Sequence, residues 1–235
     1  MRAPLDLRAP KRKRRLLRWV KHWNATHRKL SRQIEIPKSF RAWTPRVGRS
    51  AQLLLGLMQD AAGLKVTHTF NVATLWELTP FVEKQIREAL LELGVSEHPP
   101  GSNQGSRVTD YQRSTGAIAL AWCGSFQYWL LKGVHWLGNI PGAADVTMWL
   151  HAADDPANKR VTRVKGALRA RRGDRAIDNY DGGDVDHIWL VVRNYGVAQG
   201  MIGVGGNEGN AVTRRVRPFW QAAAFVRVHE DPVEK

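Results

Sequence analysis

The sequence predicts an α+β protein in which a set of helices precedes an antiparallel sheet. Between residues 81 and 153, apolar side chains recur at the i, i+3, i+4 spacing of amphipathic helices. Beyond residue 187, short β-branched runs alternate with glycine and asparagine, which is the pattern of strands joined by tight turns. The sequence has no apolar run of the roughly 18 residues that a membrane-spanning helix needs, so no such helix is expected.

Positive charge is concentrated at the beginning of the sequence. Residues 1–50 contain 16 Lys and Arg against 2 Asp and Glu, whereas the other 185 residues contain 20 against 19. Residues 1–13 are predicted to form a basic disordered arm, because Pro4 and Pro10 interrupt any helix. A block of this charge favours an anionic partner: nucleic acid, an anionic lipid surface or an anionic wall polymer.

Residues 14–80 are predicted to form a small basic helical domain. Its first helix, from Arg14 to about Leu30, is basic and amphipathic, and its charged face either contacts an anionic surface or is simply solvated. A second helix is expected from Ser50 to about Ala62. The positions that follow have the spacing of a three-helix peptidoglycan-binding domain: Leu64, Val66, Phe70, Thr74 and Leu75. This resemblance implies that the segment binds the cell wall, and the alternative is a small helical bundle without that function.

Residues 81–230 are predicted to form the α+β domain itself. Helices are expected at residues 81–93, from about residue 123, and at residues 144–153, with a short helical turn at residues 108–116. Strands are expected at residues 187–193, 200–205, 212–217 and 224–228.

The single cysteine, Cys123, stands at the predicted start of a helix. The positive end of the helix dipole stabilises a thiolate there, which makes Cys123 a candidate nucleophile. The alternative is a buried structural cysteine, which behaves as a small apolar side chain. One cysteine excludes an intramolecular disulfide and a cysteine-based zinc site.

A thiol nucleophile needs a base, and the base needs a group that orients it. His187 opens an apolar strand, so its imidazole is expected at a sheet edge that faces the helix N-terminus. Glu208 and Asn210 lie in a glycine-rich turn after the next strand and offer a carboxylate and an amide. A helix-borne Cys followed by a strand-borne His and a strand-end Glu or Asn is the layout of papain-like thiol hydrolases.

A second polar cluster precedes the histidine and consists of Asp181, Asp184, Asp186 and His187. Its spacing differs from that of a calcium-binding loop, and the two glycines within it favour a plain polar turn. We therefore expect no metal and no cofactor at this site.

Five motifs occur in a fixed order between residues 84 and 229. They are Pro99-Pro100-Gly101-Ser102-Asn103, Trp122-Cys123, Gly173-Asp174, Asp186-His187-Ile188 and Glu208-Gly209-Asn210. Together they resemble the cysteine- and histidine-dependent amidohydrolase/peptidase (CHAP) family. The resemblance implies that Cys123 is the nucleophile, that His187 is the base, and that Glu208 and Asn210 support the imidazole. It also implies an oxyanion site made by the main-chain N–H of Cys123 and a second donor, for which Asn103 and Tyr111 are candidates.

Two tryptophans are further candidates for substrate contact. Trp189 stands where the family often has a glycine after the histidine, so it is expected to crowd the sheet or to line the substrate groove. Trp122, together with Trp129, Trp136 and Trp149, suits stacking on sugars as well as packing in a core.

The resemblance implies a peptidoglycan hydrolase that cuts an amide bond by cysteine acyl transfer, either an N-acetylmuramoyl-L-alanine amidase or a peptide endopeptidase. Without a signal peptide, a phage endolysin is expected to stay in the host cytoplasm and to reach the wall after membrane permeabilisation. The basic block would then bind an anionic wall polymer or the membrane surface, and no nucleic acid partner is expected. The alternatives are a tail-associated wall hydrolase and a non-enzymatic protein that binds nucleic acid through the basic arm.

Overall fold

The computed structural model describes residues 81–180, 184–196 and 198–233. These residues belong to the second of two units into which the chain divides, Phe81–Lys235. The predicted basic arm and the helical segment at residues 14–80, with its wall-binding resemblance, lie outside the described residues. None of the helices that the structure describes is long and apolar enough to cross a bilayer.

The described part of the chain is α+β, with helices first and an antiparallel sheet after them. The helices are α1 (Phe81–Leu91), α2 (Ser106–Arg113), α3 (Cys123–Gly133) and α4 (Thr147–Asp154). The strands are β1 (Val161–Arg163), β2 (Arg175–Asp178), β3 (His187–Asn194), β4 (Met201–Gly205), β5 (Thr213–Arg217) and β6 (Ala222–Val228). Single turns of 3-10 helix lie at Ala167–Arg169 and Phe219–Gln221.

The sheet has the strand order β1-β6-β2-β3-β4-β5, and every neighbouring pair is antiparallel. β3 lies inside the sheet, between β2 and β4. In the register of β2 with β3, Asp178 is opposite His187, so the end of one strand meets the beginning of the next. β5 forms one edge of the sheet and pairs with β4.

Two apolar clusters cover different residues of β3. Side chains alternate along a strand, and accordingly Leu190 and Val192 join the first cluster while Trp189 and Val191 join the second. The other members of the first cluster come mainly from α1, α2 and α3: Ile86, Ala89, Val108, Tyr111, Trp122, Phe126, Leu130, Val204 and Val212. The second cluster also contains Ala170, Ala176, Met201 and Phe225. The first cluster therefore fixes α3 against β3.

The predicted helix start at Cys123 is confirmed, as are strands at four predicted positions in the last third of the chain. The structure adds two strands that the sequence pattern did not predict, β1 and β2. β2 has only four residues and begins and ends with a charged side chain, yet all four are buried. Asp178 is buried because it accepts hydrogen bonds from Trp189, Tyr180 and Gln221. Arg175 is buried against the ring of Trp149, and a hydropathy pattern registers neither kind of contact.

Candidate functional site

The thiol lies where the first residue of α3 meets the beginning of β3. Cys123 opens α3 and is 4% exposed. Its Sγ lies 4.0 Å from the main-chain oxygen of Asp186, the residue before His187. The thiol is also a neighbour of the His187 imidazole and is one of the groups that raise the pKa of that ring. A helix N-terminus and a strand end thus bring a thiol and an imidazole together.

Gly124 lets the start of α3 approach the loop at residues 143–144 closely. A Cβ at this position would overlap with the main-chain oxygens of Ala143 and Ala144. The residue after the thiol therefore has to be a glycine for α3, and with it Cys123, to keep its position.

The imidazole of His187 is buried between the thiol and a carboxylate. Its Nε2 lies 3.1 Å from Oε1 of Glu208. Burial alone lowers the pKa of His187, but the hydrogen bonds and charge interactions with Cys123 and Glu208 outweigh it and raise the pKa to about 9. The imidazole therefore holds its proton at neutral pH.

Glu208 is 7% exposed and its carboxylate is saturated with donors. Oε1 accepts from His187 and from Arg217, and Oε2 accepts from the hydroxyl of Thr213. Burial raises the pKa of Glu208, but the hydrogen bond from His187 and the charge of Arg217 together hold the pKa below its ordinary value. Glu208 therefore stays ionised beside the imidazole.

Asn210 lies in the same turn as Glu208 and has a left-handed backbone with φ 66°. Its main-chain oxygen accepts the N–H of Glu97 at 2.8 Å. The structure thus brings Cys123, His187 and Glu208 together, whereas the contact described for Asn210 joins its main chain to Glu97.

Asn103 is held beside the residue that precedes the thiol. Its main-chain N–H donates to Oε2 of Glu97 at 3.0 Å, and the indole of Trp122 donates to Oε1 of the same carboxylate at 2.8 Å. The side-chain oxygen of Asn103 accepts from Nδ2 of Asn207 at 3.2 Å. Glu97 thus joins Asn103 to Trp122, the neighbour of the thiol in the chain, so the amide of Asn103 stays a candidate for the second oxyanion donor.

Tyr111 lies in the core rather than at the thiol. It is fully buried, its ring stacks on Trp122 at a centroid distance of 5.6 Å, and its hydroxyl donates to Glu92 at 2.5 Å. This hydroxyl is already committed to a carboxylate, so it does not face a substrate oxygen.

Of the four tryptophans that suit sugar stacking in the sequence, three are core residues and one is partly buried. Trp122 and Trp149 are fully buried, Trp136 is nearly so, and Trp129 packs against the first cluster. Trp189 neither crowds the sheet nor lines a groove. It is fully buried because Gly203 of β4 leaves room for its ring, and its indole donates to Oδ1 of Asp178 at 2.9 Å.

Three residues near the imidazole were not among the sequence candidates: Asp178, Tyr180 and Arg217. The rings of Tyr180 and His187 are 5.8 Å apart, and the Tyr180 hydroxyl donates to Oδ2 of Asp178 at 3.1 Å. Burial raises the pKa of the fully buried Asp178, although its hydrogen bond from Trp189 and the charge of Arg217 act in the opposite direction. Residues 213, 215 and 217 share one face of β5, but Arg214 between them is also charged, so the sequence has no alternation that would distinguish Arg217.

The acidic cluster before the histidine does not form a metal site in the described residues. Among them, no group of three or more His, Cys, Asp or Glu is placed to hold a metal ion. The carboxylate of Asp186 accepts the main-chain N–H of Tyr180 at 2.9 Å, which is the role of a turn residue, and Asp181 lies outside the described residues.

No family model matches the chain, and the comparisons with curated proteins and with solved structures found no match either. The functional interpretation therefore rests on the thiol, the imidazole and the carboxylate, and on the motifs that contain them.

Proposed function

We propose that the described domain is a papain-like, cysteine-dependent hydrolase that cuts an amide bond of peptidoglycan. The observation that supports this most strongly is that the buried side chains of Cys123, His187 and Glu208 interact in that order. A nucleophile, a base and an acid that orients the base are the parts that thiol acyl transfer needs. A purely structural cysteine packs as a small apolar side chain and does not need an imidazole beside it.

The proposed first step is attack of the Cys123 thiolate on the carbonyl carbon of the amide. A C–S bond forms, the carbonyl oxygen takes the negative charge, and the main-chain N–H of Cys123 stabilises it, with Asn103 as the candidate second donor. The tetrahedral intermediate then collapses: the C–N bond breaks, and the nitrogen leaves with the proton of His187. This step produces a free amine and a thioester.

Water completes the reaction in the second step. His187, now neutral, takes a proton from a water molecule as its oxygen attacks the thioester carbon. The C–S bond breaks, the product leaves as a carboxylic acid, and the thiolate and the protonated imidazole are restored. Glu208 stabilises the protonated imidazole at the beginning and at the end of the cycle, because it remains ionised.

The motif resemblance, rather than the geometry of the thiol, supports peptidoglycan as the substrate. It covers the segments of Asn103, Cys123, His187 and Glu208, and the structure describes each of these segments. The amide bonds cleaved by an N-acetylmuramoyl-L-alanine amidase and by a peptide endopeptidase both present a carbonyl to the thiol in the same way. We propose that the protein acts as a phage endolysin, and a tail-associated wall hydrolase is the second candidate with the same chemistry.

The proposal is tested by the loss of turbidity of purified peptidoglycan. The wild type should clear the suspension, while Cys123→Ala and His187→Ala should lose at least a thousandfold in rate and keep their circular dichroism spectra. His151→Ala is the matched control, because His151 is an exposed histidine in α4. Clearing by Cys123→Ala at the wild-type rate would contradict the assignment of the nucleophile.

A further inference from the structure

The end of β5 places a buried guanidinium between two carboxylates. Arg217 is 4% exposed, and its Nη2 donates to Oε1 of Glu208. Its Nη1 lies 3.6 Å from Oδ2 of Asp178, which is fully buried on β2. The carbon atom of the guanidinium is 4.8 Å from the centre of the Trp189 ring. The guanidinium of Arg217 thus links the carboxylate of Glu208, which contacts His187, to the carboxylate of Asp178.

We propose that Arg217 is a positioning residue of the thiol site: it holds Glu208 against His187 and, with Asp178, sets the charge that the imidazole experiences. This inference rests on the proposed function, because it assigns Arg217 a part in the same reaction. Arg217 acts through Glu208, and it has no described contact with the thiol or with the imidazole.

Arg217 fixes the carboxylate of Glu208. The single oxygen Oε1 accepts from both His187 and Arg217, so the guanidinium fixes the position of the atom that the imidazole contacts. Arg215 also lies 3.3 Å from the other carboxylate oxygen, but its side chain is 56% exposed, whereas that of Arg217 is 5% exposed. Water therefore screens Arg215, while the charge of Arg217 acts with little screening.

Arg217 also contributes to the buried charge around the imidazole. When His187 is protonated and Cys123 is a thiolate, the two cations His187 and Arg217 face three anions, Cys123, Glu208 and Asp178. The groups that face the imidazole are Cys123 from α3, Tyr180 and Asp178 from the end of β2, and Glu208 from the turn after β4. Removal of Arg217 leaves an excess of negative charge and holds the proton on His187 more firmly. Removal of the Asp178 charge has the opposite effect.

The Trp189 ring and its neighbours fix Asp178 in turn. Its Oδ1 accepts from the indole of Trp189 at 2.9 Å, and its Oδ2 accepts from the hydroxyl of Tyr180 and from Nε2 of Gln221, each at 3.1 Å. Asp178 is therefore a rigid second anchor for Arg217. A lysine at position 217 would carry the charge but could not hold two carboxylates with a planar fork.

The test compares the pH dependence of kcat, and the titration of the His187 ring by NMR, in four variants. In Arg217→Met, we expect kcat to fall at least tenfold with KM within about twofold, and the apparent pKa of His187 to rise by about one. In Asp178→Asn, the pKa should fall. In the double variant, one positive and one negative charge are removed together, so the net charge equals that of the wild type and the pKa should return toward the wild-type value while kcat stays low. Arg217→Lys should keep the pKa and recover only part of kcat.

Arg214→Met is the matched control, because Arg214 is exposed on the same strand. The ring titration needs no substrate, so it tests the inference even if the protein does not cleave peptidoglycan. If Arg217→Met does not fold, Arg217→Lys and Asp178→Asn still carry the test. An unchanged His187 pKa in Asp178→Asn together with full kcat in Arg217→Lys would overturn the role of Arg217.

Discussion

Replacement of Glu208 by glutamine should change the acidity of His187 without changing the shape of the site. Glutamine keeps an oxygen that accepts from Nε2 of the imidazole, so the change removes a charge and retains a hydrogen bond. His187 has a pKa of about 9 in the wild type, and Glu208 contributes to it by a hydrogen bond and by its charge. We therefore expect the pKa of His187 to fall in Glu208→Gln.

The size of this change follows from the geometry. Opposite unit charges at the observed 3.1 Å interact by about 5 kcal/mol at an effective dielectric constant of about 20. Arg217 is bound to the same carboxylate and offsets much of this attraction. A surviving effect of about 1.4 to 4 kcal/mol corresponds to a pKa lower by about 1 to 3. At neutral pH, a smaller fraction of the imidazole then carries the proton that the leaving amine needs, so kcat should fall as well.

The assay is the titration of the His187 ring by NMR, with its signal identified by its loss in His187→Gln. The matched control is Glu92→Gln, since Glu92 is also a buried carboxylate with an arginine partner, Arg107, but it contacts Tyr111 instead of His187. The control should leave the pKa of His187 at its wild-type value. A pKa near 9 in folded Glu208→Gln would refute the electrostatic role of Glu208.

Three further predictions concern the scaffold and the surface around the site. Burial lowers the pKa of the fully buried Arg175 to about 9, and its Nε and Nη2 have no hydrogen-bond partner. Arg175→Met should therefore stabilise the fold by about 1 to 3 kcal/mol in thermal unfolding, with the exposed Arg214→Met near zero. Gly124→Ala should displace the start of α3 and abolish activity, whereas Gly133→Ala, which meets open space, should keep it; equal activities would contradict the close approach. Trp220 is 80% exposed, and the next residue, Gln221, contacts Tyr180 beside the imidazole. Trp220→Ala should therefore raise KM severalfold at unchanged Tm. Leu137→Ala, which removes another exposed apolar side chain, should leave KM unchanged.

The sequence was most informative where local rules decide the structure. The polar, turn-rich segment before Cys123 and the apolar spacing after it place the helix start at the thiol, and the structure has α3 begin there. The apolar run after His187 likewise predicts β3. Both signals depend on a few neighbouring residues, which is why they can be interpreted without knowledge of the tertiary structure.

The sequence was least informative where burial depends on distant partners. β2 was missed because Arg175 and Asp178 interrupt its apolar pattern, although both are buried by contacts with residues far along the chain. Tyr111 suited an oxyanion donor in the sequence, but its partner Glu92 lies 19 residues earlier and holds the hydroxyl in the core. Arg217 was missed for the same reason, because only the fold brings β5 to the carboxylates of Glu208 and Asp178.

The most direct test of thiol acyl transfer is digestion of purified peptidoglycan in oxygen-18-labelled water, followed by mass analysis of the released fragments. Hydrolysis of the thioester predicts one labelled oxygen in each new carboxyl group and one new free amine for each cut, with neither formed by Cys123→Ala. The fragment that carries the new amine distinguishes the amidase from the endopeptidase. Fragments with new reducing sugar ends, or labelled carboxyl groups formed equally by Cys123→Ala, would contradict the mechanism.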